Sequence, residues 1–278
     1  LPIPTNCAPC PGKTNAFIFD FNFYDLTFYP FSYFQRAKLR HFSEKCTSRG
    51  NFLAKVVPIS KKMCKFAHRK EKRYWKMKLI VMTKPTFFVE EDKILANLFE
   101  EGLENLHLNK PGAAPMFSER LLTLLGDDYR NRITVHGHFY LKEEYRLRGI
   151  HIDDAHTEPP VGYKGNISRT CHAISELKDA KKHSNYVFLH AIYDSQTNKD
   201  EKSSFTHEEL EAASSQGLID KKVYALGGMN IDNVKEMKAL GFGGVVICGD
   251  LWNRFNIHNE IDYKALLNHF ERLRKMID

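Results

Sequence analysis

Two glycine turns near the C-terminal end of the chain are the residues best suited to bind an anion. Gly227 and Gly228 follow the apolar run 224–226, and Gly249 follows the run 243–248 about one helix later. Backbone N–H groups without a side chain beside them can converge on an anion, and the N-terminus of a following helix adds partial positive charge. The pattern predicts a phosphate site at two successive strand ends, although tight turns and helix capping would also explain such glycines.

Histidine supplies the second kind of chemistry, because six of the 13 histidines fall where predicted strands end: His107, His136, His138, His156, His172 and His190. Imidazole titrates near neutral pH and moves a proton in either direction, so these residues favour acid–base chemistry on a small molecule. A metal site from His136, His138 and His156 is an alternative, although no ligand spacing among them is diagnostic. His151 is interpreted as a structural hydrogen-bonding or surface residue.

Eight apolar runs of strand length alternate with helical patterns and would position these residues. The predicted strands are 78–82, 105–108, 132–135, 149–152, 166–169, 186–190, 223–226 and 245–248. The predicted helices are 90–101, 118–125, 142–147, 174–182, 207–215, 231–240 and 263–276, and a loop is predicted over 153–163. This alternation predicts a parallel sheet closed into a (β/α)8 TIM barrel. A doubly wound open sheet is less favoured, because its glycine-rich turn should follow the first strand, where the chain has Thr83-Lys84-Pro85.

The first 76 residues differ from the rest in charge. They hold 15 Lys and Arg against four acidic side chains, a net charge of +11, so residues 77–278 are net −4 in a chain of +7. We predict a basic, aromatic-rich extension over 1–76, unstructured or read through from a misplaced start before Met77, and a barrel domain over 77–278. Nucleic-acid binding through residues 36–76 is a less favoured alternative.

The cysteines and the apolar stretches of the chain indicate in which cellular compartment the protein is expected. Cys7 and Cys10 form a lone pair without a second pair at zinc spacing, and Cys171 and Cys248 follow no short-range pattern, so we expect free thiols and a cytoplasmic protein. The aromatic stretch 16–34 is interrupted by two aspartates and a proline, so no membrane partner is expected.

Six ordered motifs carry a resemblance to a known family: LHLNKP at 106–111, GIHI at 149–152, TCHAISEL at 170–177, IYDS at 192–195, ALGGM at 225–229 and the segment 243–251. Together they resemble the thiamine phosphate synthase superfamily, which includes the thiazole tautomerases. The resemblance covers residues 78–255. It implies a phosphate-binding barrel of thiamine biosynthesis that acts on a thiazole phosphate. The sequence leaves the oligomeric state open, with a homodimer as one arrangement.

The resemblance also separates two activities. In the synthase branch a pyrimidine diphosphate ionises, Mg²⁺ and basic residues hold the departing diphosphate, and the thiazole nitrogen captures the cation. That branch has a Gln-x-Arg-x-Lys strand end and aspartates for Mg²⁺, whereas this chain has His107-x-Asn109-Lys110 and then His136-Gly137-His138. The aspartate expected after the fourth strand is His156, with Asp153 and Asp154 nearby. Imidazole is a poor Mg²⁺ ligand, so the histidine replacements leave Asp153, Asp154 and His156 as no more than weak metal candidates.

The residues that the resemblance assigns to thiazole phosphate match better. Gly227, Gly228 and Gly249 match the phosphate turns, while Ser195, Thr197 and Lys199 resemble the hydroxyl-rich sixth loop. His172 matches the histidine that tautomerases use to move a proton on the thiazole ring, although helix capping would also explain it.

We therefore expect tautomerase-type proton transfer without a cofactor, with His172 as the proton shuttle and Lys110 assisting electrostatically. The substrate pocket is expected to include His107, Asn109, His136 and His138. One alternative is the synthase reaction with Mg²⁺ and a pyrimidine diphosphate. A second is a non-catalytic protein that binds a phosphorylated ligand.

Overall fold

The computed structural model describes residues 76–154, 156–198, 200–254, 256 and 260–278. In this part of the chain eight parallel strands close into a barrel, each paired with the next and the eighth with the first. The strands are β1 Lys78–Met82, β2 Asn105–Leu108, β3 Ile133–Val135, β4 Gly149–Ile152, β5 Asn166–Cys171, β6 Tyr186–Leu189, β7 Val223–Ala225 and β8 Gly244–Ile247. The predicted (β/α)8 barrel is confirmed. The predictions made for residues 1–75, including the Cys7 and Cys10 pair, lie outside the described residues.

The helices are α1 Glu91–Glu100, α2 Pro115–Leu125, α3 Asp127–Arg130, α4 Tyr140–Glu144, α5 Leu177–Ala180, α6 His207–Ser215, α7 Val234–Leu240, α8 Gly249–Trp252 and α9 Glu260–Ile277. A 3₁₀ turn, Ile174–Glu176, precedes α5, and the described residues between β4 and β5 contain no helix. The short helices α3 and α8 were not predicted. Within the described residues no helix is long and apolar enough to cross a membrane.

Side chains from both faces of the strands are buried, as expected of a parallel sheet covered by helices. Every residue of β2, β3, β4, β6 and β8 is buried. Outward-facing apolar residues pack against the helices, for example against the predicted α1 stripe Ile94, Leu95, Leu98 and Phe99. A smaller apolar cluster fills the barrel interior with Ile80, Met82, Tyr186, Phe188 and Val246. Buried polar side chains, among them His107 and His151, share that interior.

Local hydrogen bonds determine where two helices begin. The Thr206 hydroxyl accepts a hydrogen bond from the Glu209 N–H, and the Glu209 carboxylate accepts one from the Thr206 N–H, a capping box that starts α6 at the predicted residue. In contrast, α7 begins at Val234, three residues later than predicted. The Asn233 side chain accepts from the Asn230 N–H and donates to the Gly228 carbonyl, so the turn after β7 stays open beyond the glycines.

Candidate active site

Two adjoining hollows lie at the C-terminal ends of the strands. The glycine hollow, about 290 Å³, is bounded by Gly227, Gly228, Gly249, Ser195, Thr197, His172, His190 and Glu201. The histidine hollow, about 380 Å³, is bounded by Asn109, Lys110, Ser118, His136 and His138. Asn109 and Asp153 line both. The barrel mouth therefore offers two adjoining compartments, which suit a small phosphorylated molecule.

Gly227 and Gly228 need to be glycine at this turn. Their φ angles are +100° and +60°, and a Cβ at Gly228 would lie 2.4 Å from the Asp194 carbonyl oxygen. A side chain there would both strain the backbone and collide with the neighbouring loop. Among the described residues, the N–H groups of Gly228 and Gly249 have no hydrogen-bond acceptor. Both glycines line the hollow, so an anion bound there could accept hydrogen bonds from these N–H groups.

The loop after β6 is held against both glycine turns. Gln196 donates from Nε2 to the Gly228 carbonyl (3.3 Å), and Asn253 donates from Nδ2 to the Gln196 carbonyl (3.2 Å). A Cβ at Gly249 would lie 3.0 Å from Thr197 Cγ2, so glycine permits this close approach. The predicted phosphate residues Gly227, Gly228, Gly249, Ser195 and Thr197 are thus brought to one hollow. Lys199 lies outside the described residues.

His172 lies at the rim of the glycine hollow beside a second histidine. Its ring centroid is 5.5 Å from that of His190, and its backbone N–H donates to Glu176 Oε2 (2.9 Å). His190 Nε2 in turn lies 3.2 Å from Glu201 Oε1. Burial lowers the pKa of His190 and the Glu201 carboxylate opposes that shift. At neutral pH this arrangement keeps an imidazole able to accept a proton within the hollow.

Sequence reasoning did not select His190 and Glu201 as catalytic residues. The position of His190 at a strand end was a usable signal. No sequence signal pointed to Glu201, because it lies in a polar loop. It reaches His190 only through the fold of that loop, in which the Ser195 N–H donates to the Glu201 carbonyl (2.9 Å).

Lys110 is placed differently from the sequence expectation of an electrostatic aid to the substrate. Its Nζ lies 2.6 Å from Glu91 Oε1 and 3.0 Å from the Thr86 carbonyl oxygen, and the ammonium sits 4.4 Å from the centre of the Phe87 ring. Burial lowers the pKa of Lys110 and raises that of Glu91, and the pairing opposes both shifts. The ammonium is therefore held in the barrel wall, where its charge is largely neutralised.

Of the four residues predicted for the substrate pocket, Asn109, His136 and His138 line the histidine hollow and His107 does not. His107 is fully buried inside the barrel and lines neither hollow. It belongs to β2, and its place in the strand pairing directs the side chain inward rather than to the strand end. Its Nε2 lies 2.7 Å from the Tyr186 hydroxyl oxygen and its Nδ1 lies 2.8 Å from His136 Nε2.

These contacts belong to a buried polar network. His136 Nδ1 lies 2.8 Å from Asp153 Oδ2, and His151 Nδ1 lies 2.7 Å from Ser168 Oγ, which agrees with a hydrogen-bonding role for His151. Burial lowers the pKa of His107, and lowers that of His151 to about 3, so both rings are neutral. Burial alone would raise the pKa of Asp153, but hydrogen bonds from His136 and His151 outweigh it and hold that pKa below its usual value.

The predicted histidine set of His136, His138 and His156 is not assembled. The His138 ring lies against the Ala113 carbonyl (3.2 Å). The His156 N–H donates to Asp154 Oδ1 (2.9 Å), and both residues are exposed. Within the described part of the chain, the group of His, Cys, Asp and Glu side chains close enough to share a metal ion is instead His107, His136 and His151.

Comparison with known proteins agrees with this architecture. A family model described as thiamine monophosphate synthase matches residues 118–251. The structure of thiamine phosphate pyrophosphorylase from Bacteroides thetaiotaomicron is 50% identical, with a TM-score of 0.66 over 72% of this chain and 97% of that one.

Two more distant structures share the fold. Thiamine phosphate pyrophosphorylase from Pyrococcus furiosus is 17% identical, with a TM-score of 0.58 over 73% of this chain and 96% of that one. The tryptophan synthase α subunit from Legionella pneumophila is 15% identical, with a TM-score of 0.51 over 79% and 98%. No curated protein sequence matches the chain. On the 50% identity across nearly the whole Bacteroides protein, the chain belongs to the thiamine monophosphate synthase family.

Proposed function

We propose that this chain binds a thiazole phosphate in the glycine hollow and transfers a proton on its ring, as a thiazole tautomerase does. Backbone donors at Gly228 and Gly249 and hydroxyls at Ser195 and Thr197 surround one space that suits a phosphate. His172 borders the same space, so a ring attached to that phosphate would lie against an imidazole. Phosphate anchoring and one acid–base group are all that this reaction needs.

The observation that carries this proposal is the distribution of charge at the barrel mouth. Among the described residues that line the two hollows, Lys110 is the sole lysine or arginine, and its ammonium is paired with Glu91 in the wall. Stabilising a departing diphosphate requires concentrated positive charge. Proton transfer by a positioned imidazole does not, and it contributes on the order of a hundred- to ten-thousand-fold in rate.

In this mechanism the glycine turns bind the phosphate, and His172 removes a proton from one atom of the thiazole and delivers it to another. His190 lies beside His172, and its Nε2 is 3.2 Å from Glu201 Oε1. Positive charge on His172 therefore lowers the pKa of His190. The Glu201 carboxylate stabilises positive charge on His190, which provides a second site for the proton during the transfer.

The donor groups at the mouth do not fit Mg²⁺, the ion that the synthase branch uses. Both oxygens of Asp153 are engaged, with Oδ2 2.8 Å from His136 Nδ1 and Oδ1 3.4 Å from His151 Nε2. The groups in contact with these oxygens are two imidazoles and the Thr170 hydroxyl (3.5 Å), whereas Mg²⁺ prefers a full set of oxygen ligands.

Thiamine phosphate synthesis is the second candidate. It is favoured by the 50% identical Bacteroides protein, which is called a thiamine phosphate pyrophosphorylase. The thiazole phosphate would occupy the same glycine hollow, and a pyrimidine diphosphate would have to occupy the histidine hollow.

One assay separates these functions. The full chain is given the thiazole carboxylate phosphate tautomer without Mg²⁺, and products are followed by liquid chromatography. We expect conversion to the aromatic thiazole, reduced at least about a hundredfold in His172→Ala, and unchanged in His183→Gln, an exposed residue outside both hollows.

Other outcomes would replace the proposal. Thiamine phosphate that forms only after a pyrimidine diphosphate and Mg²⁺ are added would establish the synthase reaction. Binding of thiazole phosphate without turnover in either assay would indicate a protein that binds the ligand and does not transform it.

A further inference from the structure

We propose that His107, His136 and His151 form a binding site for a divalent transition-metal ion of the zinc type inside the barrel. The three residues come from β2, the end of β3 and β4, which are adjacent strands. One ring nitrogen of each lies within 4.8 Å of the others. The side chains of His107 and His151 are fully buried, and that of His136 is 3% exposed.

Each imidazole is oriented through its other ring nitrogen. His136 Nδ1 donates to Asp153 Oδ2 (2.8 Å), and His151 Nδ1 lies 2.7 Å from Ser168 Oγ, whose hydroxyl points toward the Ile150 carbonyl. His107 Nε2 lies 2.7 Å from the Tyr186 hydroxyl oxygen. Histidines that ligate a metal almost always use the second nitrogen in this way, because such a partner determines the tautomer and the direction of the ring.

The nitrogens that would bind the ion are His107 Nδ1, His136 Nε2 and His151 Nε2. The ion would replace the contacts of His151 Nε2 with Thr170 Oγ1 (2.9 Å) and Asp153 Oδ1 (3.4 Å). The His136 and His151 rings are stacked with their centroids 4.2 Å apart, so one ring would turn for both nitrogens to face the ion.

His107 Nδ1 and His136 Nε2 already face one another at 2.8 Å across a hydrogen bond. Three nitrogens bound to one zinc ion at about 2.0–2.1 Å lie about 3.4 Å apart, so the pair would separate by about half an ångström. The proton between them would move to His107 Nε2, which can donate to the Tyr186 hydroxyl oxygen.

The donor set determines which ions fit. Three imidazole nitrogens suit Zn²⁺, Co²⁺ or Ni²⁺ and disfavour Mg²⁺ and Ca²⁺, which take oxygen ligands. The Asp153 carboxylate adds the negative charge that offsets part of the ion's charge, since its oxygens lie within 3.4 Å of the His136 and His151 rings.

The cluster also has an entry path. His136 and Asp153 both line the histidine hollow, so an ion can reach the buried nitrogens from the barrel mouth. The cluster is therefore not sealed from the solvent by the surrounding apolar side chains. The site is independent of the proposed tautomerase reaction, because it uses neither His172 nor the glycine turns.

The test is metal binding by the full chain after treatment with a chelator. Zn²⁺ affinity is measured by competition with a chromophoric chelator, and Co²⁺ binding by visible absorption, with Mg²⁺ as the unsuitable ion. We expect one tightly bound Zn²⁺ or Co²⁺ per chain and no competition from Mg²⁺. His136→Gln and His151→Gln should each weaken Zn²⁺ binding at least a hundredfold, and His183→Gln should leave it unchanged.

Two controls keep the result interpretable. Asp153→Asn alters a half-exposed side chain that only orients a ligand, so it should fold normally and weaken Zn²⁺ binding about 10- to 100-fold. If the histidine variants lose their near-ultraviolet circular dichroism and are therefore misfolded, the Zn²⁺ affinity of Asp153→Asn tests the site instead. The segment 1–75 contains Cys7, Cys10, Cys46 and Cys64, so the measurements are repeated with all four replaced by serine.

The proposal is overturned if the wild-type chain binds no Zn²⁺, or if the Asp153 and histidine variants bind it as tightly as His183→Gln. It is also overturned if the bound Co²⁺ shows a thiolate charge-transfer band that the four serine substitutions abolish.

Discussion

Lys110 Nζ and Glu91 Oε1 lie 2.6 Å apart in the wall of the barrel, with both side chains 2% exposed. Lys110→Met should therefore lower the free energy of unfolding by about 3–5 kcal/mol, because it leaves a buried carboxylate without its partner. Lys110→Met combined with Glu91→Leu removes both charges and should restore most of that stability. Chemical denaturation of the single and double variants measures the difference.

The same variants test whether Lys110 takes part in catalysis. If the ammonium only neutralises Glu91, the double variant should convert the thiazole tautomer at nearly the wild-type rate. A stable double variant that loses turnover at least tenfold would instead place the Lys110 charge in the reaction.

The turn at Gly228 offers a matched comparison with Gly217. Both have a positive φ, +60° and +74°, but a Cβ at Gly228 would meet the Asp194 carbonyl oxygen at 2.4 Å, whereas a Cβ at Gly217 meets nothing within 4 Å. Gly217→Ala should cost only the strain of the left-handed backbone, about 1–2 kcal/mol. Gly228→Ala should cost more in denaturant unfolding and should weaken binding of thiazole phosphate in calorimetry. Equal losses of stability, with binding intact, would contradict a requirement for close approach at Gly228.

The contact between His190 and Glu201 predicts a direction for the pH dependence of activity. Burial lowers the pKa of His190, and the Glu201 carboxylate raises it in opposition. Glu201→Gln removes the opposing charge, so the pKa of His190 should fall further and the acid limb of the kcat/KM profile should move to lower pH. A profile that keeps its acid limb, or moves it to higher pH, would show that His190 does not control this limb.

Much of the fold was predictable from local patterns. β1, β2 and β4 begin and end at the predicted residues, because short apolar runs bounded by polar or turn residues are characteristic of buried parallel strands. α6 begins as predicted because its capping box is contained within four consecutive residues. α7 begins later than predicted because Asn233 bonds back to Gly228, a contact that helical periodicity does not report.

Part of the site was predictable for the same reason. Once the strands are known, their C-terminal ends meet at one face of the barrel, so Gly227, Gly228, Gly249, Ser195, Thr197 and His172 could be expected together. The directions in which individual side chains point could not be predicted from the sequence. Lys110 and His107 lie within four residues of one another, yet one is paired with Glu91 in the wall and the other points into the barrel.

The sequence by itself determined the closed eight-stranded barrel, the family resemblance and the residues at the strand ends, because these follow from periodicity, turn residues and motifs within short stretches of chain. Only the tertiary structure decided that Glu91 neutralises Lys110, that Glu201 lies beside His190, and that His107, His136 and His151 face one another. These residues are 11 to 44 positions apart in the chain. Barrel closure and the register between neighbouring strands set their distances, and neither is encoded in the spacing of any one segment.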